Sequence, residues 1–400
     1  MPEPLRVIMM GGRRCGKTSA LASLFEEMKN GKVKDYFTIS DRTVLETRGF
    51  EVQDSLNDKT LELQHMLETN QGNNSIFLVD KSPTSSYWLY NLHLQIPGTH
   101  REMDIEFRDS AGEFFEASGS FAKETEDYIK KCDVFVIVVD TPYLMGSVEE
   151  STKDLCPESI NLATNRVSDI QNFLTHIDNK EGKDAKMVVF VPLKCEKWAK
   201  EPNGLNKVTA RIKEVYATHI QNLLAYEKMN ISVIPMQTSG NILFSEFRKA
   251  YIYNSIEGPI RCCKIDDEII RKENGENDML MPGETIVDDP VAVISGTNLL
   301  RPYEWFQINP NDSRFAPKNC DQLPLHILRF MLSKLMDAEA KVQHGGLLGK
   351  IYDFFRDLIN SIRAVFGTMD TDELKIIIRK MQHDGTIKDT GDGIEIIKRF

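Results

Sequence analysis

A chain of 400 residues, 41% hydrophobic and 27% charged, can bury an ample core, and no apolar run approaches the roughly eighteen residues that a bilayer crossing needs. Its formal net charge of -11 argues against a general nucleic-acid surface, which requires Lys and Arg clustered on one face, although a local basic patch is compatible with it. The opening Met1-Pro2-Glu3-Pro4 lacks a basic n-region, so no signal peptide is expected and a cytoplasmic location follows as an expectation. The seven cysteines, adjacent Cys262 and Cys263 among them, show neither a disulfide framework nor CxxC metal spacing, and are read as reduced thiols. No Pro/Gly/Ser linker or repeat divides the chain; one enlarged domain over 1–343 and a tail over 344–400 are expected.

The apolar run Leu5 to Met10 predicts a strand, and Ser19 to Phe25 continues as a helix. Between them stands Gly11-Gly12-Arg13-Arg14-Cys15-Gly16-Lys17-Thr18, the pattern GxxxxGK[ST] at a strand, loop and helix junction. In that context it is a phosphate cradle. Gly11 and Gly16 let backbone N–H groups curl around phosphates, and the helix beginning near Lys17 aims its positive dipole end at them. Lys17 is placed to reach the β- and γ-phosphates, and the Thr18 hydroxyl to ligate Mg²⁺.

The connection from Gly31 to Gly72 is long, and the spacing of Leu56, Leu61, Leu63 and Met66 predicts a helix inserted within about 31–75. The loop Asp80 to Ser86 offers Thr84 as the threonine that closes over Mg²⁺ and the γ-phosphate; a Ser/Thr-rich turn capped by its own hydroxyls fits equally, and Thr43 and Thr60 are rivals. Residues 87–96 and 103–109, separated by Pro97-Gly98, predict a hairpin. It ends in Asp109-Ser110-Ala111-Gly112, a DxxG motif: the carboxylate can hold Mg²⁺ through water, and the Gly112 N–H can sense the γ-phosphate.

Asp133 to Asp140 and Met187 to Pro192 are continuous apolar strands, as in a parallel sheet covered on both faces. Asp140, followed by Thr141-Pro142, lies at the C-terminal end of its strand, where α/β ligands bind, and is read as a strand-ending turn. The second strand runs into Leu193-Lys194-Cys195-Glu196, at the place where Ras-like and translation-factor-type GTPases carry NKxD; that resemblance implies that Glu196 accepts guanine N1–H and N2–H and that Lys194 lies along the base, and a charged strand end is the plainer alternative. A last parallel strand from Ile231 ends in Thr238-Ser239-Gly240, which resembles the SA[KL] loop of GTPases, where a backbone N–H backs the guanine O6.

Taken in order, these motifs resemble the translation-factor-related (TRAFAC), Ras-like P-loop GTPases, and more narrowly the double-GTPase families of bacterial GTPase-associated gene clusters. The narrower resemblance rests on Lys194-Cys195-Glu196-Lys197-Trp198 in the place of NKxD, on Gln237-Thr238-Ser239-Gly240 leading to Phe244, and on Pro317 through Phe330; it covers roughly residues 5–340. Leu193 and Glu196 depart from NKxD. The resemblance implies GTP/GDP and Mg²⁺ as ligands and a regulatory or defence setting.

Phosphoryl transfer needs a placed water and positive charge on the γ-phosphate. Glu113 occupies the position where Ras-like proteins carry a water-orienting Gln, which predicts slow hydrolysis assisted by a partner. Arg13 and Arg14 either act in cis or attract the nucleotide from solvent, and Arg108 is a further cation. Beyond the signatures, residues 242–254 and Tyr303 to Ile308 predict paired strands, the acidic Ile265 to Pro290 a surface loop within an excursion over about 258–300, and Leu323 to Met336 a closing helix. Leu348 to Phe366 carry an apolar stripe suited to docking on the domain or on a partner, and a capped helix from Asp370 and a hairpin from Gly385 complete an interaction tail for a protein partner.

The expected fold is therefore α/β: a P-loop NTPase with a mostly parallel sheet flanked by helices, two insertions and a C-terminal helical and hairpin tail. The expected function is a GTP-binding switch with slow Mg-dependent hydrolysis. An ATP-driven P-loop protein and a nucleotide-bound scaffold without turnover are the alternatives.

Overall fold

The computed structural model describes residues 4–12, 15–48, 51–69, 76–77, 87–110, 128–129, 131–176, 185–248, 250–255, 258–265, 268–273, 276–279, 303–309, 312, 314–344, 360 and 370–399. β1 (Leu5–Met10) enters the phosphate loop and α1 (Lys17–Asn30) leaves it; β2 (Thr38–Asp41), β3 (Thr47–Arg48), β4 (Glu51–Val52), α2 (Leu56–Thr69) and β5 (Ile76–Phe77) follow. Then come β6 (Tyr87–Gln95), β7 (Glu102–Ser110), β8 (Val134–Asp140), α3 (Thr141–Gly146), α4 (Glu158–Thr164), α5 (Val167–His176) and β9 (Lys186–Leu193). The chain continues through α6 (Glu196–Ala199), α7 (Gly204–Val215), α8 (Ala217–Leu224), β10 (Met229–Val233), β11 (Ile242–Arg248), β12 (Ala250–Ser255), β13 (Gly258–Ile265), β14 (Glu268–Glu273) and β15 (Glu276–Met279). It closes with β16 (Tyr303–Ile308), α9 (Gln322–His344), α10 (Thr371–His383), β17 (Thr390–Gly391) and β18 (Ile394–Lys398).

The central sheet has nine strands in the order β17-β18-β10-β9-β8-β1-β7-β6-β2. From β10 to β7 the pairings are all parallel, while β6, β2 and β18 join antiparallel. This is the mostly parallel α/β architecture expected from the motifs. Alternate residues of the central strands face opposite sides. Val7, Met9, Val134, Val136 and Val138 pack with Leu21, Leu24 and Phe25 of α1, with α9 and with Leu374, Ile378 and Met381 of α10. Ile8, Met10, Phe135, Ile137 and Val139 pack with Tyr143, Phe173, Val208, Ile212 and Leu223 on the other face. Each such fully buried Leu, Val or Phe stabilises the fold by about 1.5–3 kcal/mol, so removing any one from the sheet centre is costly.

The hairpin of β6 and β7, the inserted helix α2, and the antiparallel pairing of β11 with β16 match expectation. Three features differ from it. β14 and β15 fall where a surface loop is expected, and with β12 and β13 they form a four-stranded antiparallel sheet, while residues 280–302 lie outside the described set. β11 and β16, expected as a pair, take β5 as a third strand and form a sheet of their own. And the described part of the tail is integral to the domain, because β18 pairs with β10 and α10 buries its apolar face in the core. The hairpin covers an edge that β10 would otherwise present to solvent. α10 is capped as expected: the Asp370 side chain accepts from the Asp372 and Glu373 N–H groups. The stripe from Leu348 to Phe366 lies outside the described residues.

Candidate functional site

The parallel strands end side by side at Met10, Ser110, Asp140 and Leu193, and ligands of open α/β sheets bind at this edge. Gly16, at φ +96°, takes a left-handed turn that only glycine adopts cheaply, and α1 starts at the next residue. Lys17 Nζ folds back into the loop, donating to the carbonyls of Gly11 (3.3 Å) and Gly12 (3.1 Å). The ammonium is therefore held over the cradle it would serve. Cys15 packs beneath the loop, buried, and burial pushes its thiol pKa up.

β1 and β7 are paired with Met9 opposite Asp109, which brings the DxxG carboxylate beneath the loop. Thr18 Oγ1 donates to Asp109 Oδ2 at 2.5 Å. Burial pushes the Asp109 carboxyl above its usual range, while Lys17 and the Thr18 hydroxyl pull it down. Two hard oxygen donors suit Mg²⁺, which keeps several waters and takes its remaining ligands from a phosphate. A full protein cage is absent: among the described residues no group of three or more His, Cys, Asp or Glu could hold a metal.

On the neighbouring strand Leu193 is buried, its Cδ1 3.6 Å from where a Gly16 Cβ would stand, so an apolar side chain lies against the phosphate loop at this position. Lys194 then turns left-handed, at φ +59°. Its ammonium bonds to Asp140 Oδ2 (2.6 Å) and to both carboxylate oxygens of Glu304 (2.9 and 2.7 Å). Glu196 opens α6, which Glu149 holds through Lys197 Nζ (2.7 Å) and Trp198 Nε1 (2.8 Å).

Glu196 Oε1 accepts from the backbone N–H of Ser239 (2.7 Å) and Gly240 (3.3 Å) and from the hydroxyls of Ser239 (3.0 Å) and Thr238 (3.4 Å). Burial nevertheless pushes its carboxyl above the usual range. The loop is fixed from its other side by Gly240, at φ +77°, where a Cβ would lie 2.0 Å from the Ala316 carbonyl oxygen. Ser23 Oγ of α1 donates to the Thr238 carbonyl, tying this loop to the phosphate-loop helix.

The structure thus brings Gly11, Gly12, Cys15, Gly16, Lys17, Thr18, Ser19 and Asp109 together beside Lys194, Glu196, Thr238, Ser239 and Gly240. Arg13, Arg14, Thr84, Gly112 and Glu113 lie outside the described residues. The rival threonines have other tasks: Thr60 Oγ1 donates to the Ala22 and Leu56 carbonyls, and Thr43 Oγ1 accepts the Asn91 N–H. Arg108 is not poised at the phosphates; its guanidinium stacks on Tyr87 (3.5 Å) and lies over Tyr128 (4.8 Å), buried. Nothing in the sequence singles out Glu304, and Asp140 reads there as a strand-ending turn. Asp140 is fully buried and anchors Lys194 rather than merely ending a strand.

No curated protein matches the chain in sequence. Among solved structures, the S. cerevisiae Ski7 GTPase-like domain bound to GTP gives a TM-score of 0.35 at 12% identity, covering 68% of this chain and 58% of that one. This chain therefore spans less than two thirds of the Ski7 chain. The signal recognition particle receptor SRb-GTP/SRX complex from Chaetomium thermophilum gives a TM-score of 0.31 at 8% identity, covering 60% of this chain and 92% of that one. Residues 6–246, more than half of the chain, match the model of the family Double-GTPase 2, and the chain belongs to that family.

Proposed function

We propose that the protein is a regulatory switch that binds GTP with Mg²⁺ and hydrolyses it slowly, its output passing to a partner protein. The observation that carries this reading is the Thr18–Asp109 hydrogen bond, which joins the phosphate loop to the DxxG strand at the point where a γ-phosphate would be sensed. Lys17 leaves the Gly11 and Gly12 carbonyls for the β- and γ-phosphate oxygens. Mg²⁺, when bound, neutralises phosphate charge, with Thr18, Asp109 and Thr84 the residues to hold it. Glu196 keeps one carboxylate oxygen on the Thr238–Gly240 loop and offers the other to guanine, whose N–H donors favour the ionised acid. The stem of Lys194 lies along the base.

Gly112 senses the terminal phosphate, and Glu113 accepts a proton from the attacking water. A carboxylate there repels the phosphate more than a Gln would, which accounts for slow turnover and for the need of a partner's cation; Arg13 and Arg14 draw the nucleotide in. The rival ATP reading draws on the Leu193 and Glu196 departures from NKxD, and direct competition of ATP against bound GTP separates the two. Phosphate release by the parent, Lys17→Ala and Glu113→Ala tests turnover: activity retained without Lys17 would discredit the assignment, and loss in both variants is expected.

A further inference from the structure

Lys194 is bound by more carboxylate than its charge requires. Asp140, whose side chain is fully buried, already neutralises it at 2.6 Å, yet Glu304, only 10% exposed, grips the same ammonium with both oxygens. A second buried carboxylate adds desolvation cost and leaves the trio net negative, so ion-pair stability does not account for Glu304. Its place in the chain does. Glu304 lies on β16, beyond the family-matched stretch 6–246. β16 pairs along one edge with β11, which begins at Ile242 directly after the Thr238–Gly240 loop, and along the other with β5 at Ile76 and Phe77.

Phe306, two residues on and on the same face of the strand, puts its ring 5.7 Å from the Lys194 ammonium. A closed circuit results: Lys194, Glu196, the loop held by Glu196, β11, β16, and Glu304 back to Lys194. We infer that Glu304 is a positioning residue for base recognition: by holding the Lys194 ammonium it fixes that side chain's aliphatic stem as the platform for the purine, in register with the Thr238–Gly240 loop. This rests on the GTP-binding reading above.

The test is calorimetric titration of the parent, Glu304→Gln, Lys194→Met and the double variant with Mg-GTP and, separately, with Mg-tripolyphosphate, which has phosphates but no base. Glu304→Gln is expected to weaken GTP binding about tenfold and leave tripolyphosphate binding within about twofold, with no further loss when Glu304→Gln is added to Lys194→Met. Equal GTP affinity in parent and Glu304→Gln, a parallel loss of both ligands, or additive losses in the double variant would each overturn the inference while leaving GTP binding by the parent intact. A parent that binds tripolyphosphate but no GTP would instead overturn the GTP reading, and the inference with it.

Discussion

Glu196 Oε1 accepts the Ser239 backbone N–H at 2.7 Å and the Ser239 hydroxyl at 3.0 Å, so the acid to which the proposed function gives base reading also shapes the Thr238–Gly240 loop. The two tasks separate by substitution. Glu196→Gln keeps an acceptor for the loop but removes the charge; Glu196→Ala leaves the Ser239 and Gly240 N–H groups buried without an acceptor, which costs about 1–3 kcal/mol. Chemical denaturation is expected to show near-parent stability for Gln and a clear loss for Ala, while both variants bind GTP at least about tenfold more weakly. Equal stability of the two would mean that the loop does not depend on this acceptor.

Lys17 donates to the carbonyls of Gly11 and Gly12, bonds confined to the phosphate loop itself. Lys17→Ala is expected to shift the melting temperature by no more than about 2 °C without nucleotide. With nucleotide the parent gains stability by mass action and the variant does not. A variant that GTP stabilises as much as the parent would remove Lys17 from the phosphate site.

Thr18 and Asp109 share one hydrogen bond and, in the proposed function, one Mg²⁺. Thr18→Val removes a donor and a metal ligand with little change of volume. GTP affinity of the parent is expected to drop steeply on chelation by EDTA, whereas Thr18→Val and Asp109→Asn bind weakly and respond little to EDTA. Full Mg-dependence in both variants would contradict the metal assignment.

His326, buried on α9, makes a 2.9 Å contact from Nε2 to the Lys388 carbonyl and a 3.3 Å contact from Nδ1 to Arg329. Nε2–H therefore donates and Nδ1 accepts, which leaves no place for a second ring proton. Burial, and then the Arg329 charge, push its pKa from 6.5 down to about 3. A depressed histidine contributes stability above its unfolded pKa that is lost as pH falls through the window from 6.5 towards 3, about 1.4 kcal/mol for each unit. His326→Gln keeps a donor and an acceptor without titrating. Melting temperatures between pH 7 and pH 4.5 should fall less steeply in that variant than in the parent; parallel curves would show that His326 does not set the acid sensitivity.

Much of this architecture was legible in the sequence because its signals are local. Val134 to Asp140 has no surface-facing position, so it reads as a strand covered on both sides, and Gly16-Lys17-Thr18 needs only the strand before it and the helix after it to be recognised. Asp109 was legible for the same reason. What escaped depends on partners distant in sequence: nothing around Glu304 announces Lys194, and nothing in Ile394 to Lys398 announces β10. The strands of the 258–279 segment alternate weakly and carry acidic and glycine residues, which composition alone assigns to a loop. Asp140 reads as a turn because its partner Lys194 lies just past the end of β9, distant in sequence.

Titration of the purified chain with GTP in the presence of Mg²⁺ bears on all of this at once. The account predicts one saturable site per chain, competed by GDP but not by equal ATP, and abolished by Lys17→Ala. Identical heats with and without GTP, or displacement of GTP by ATP at equal concentration, would contradict it.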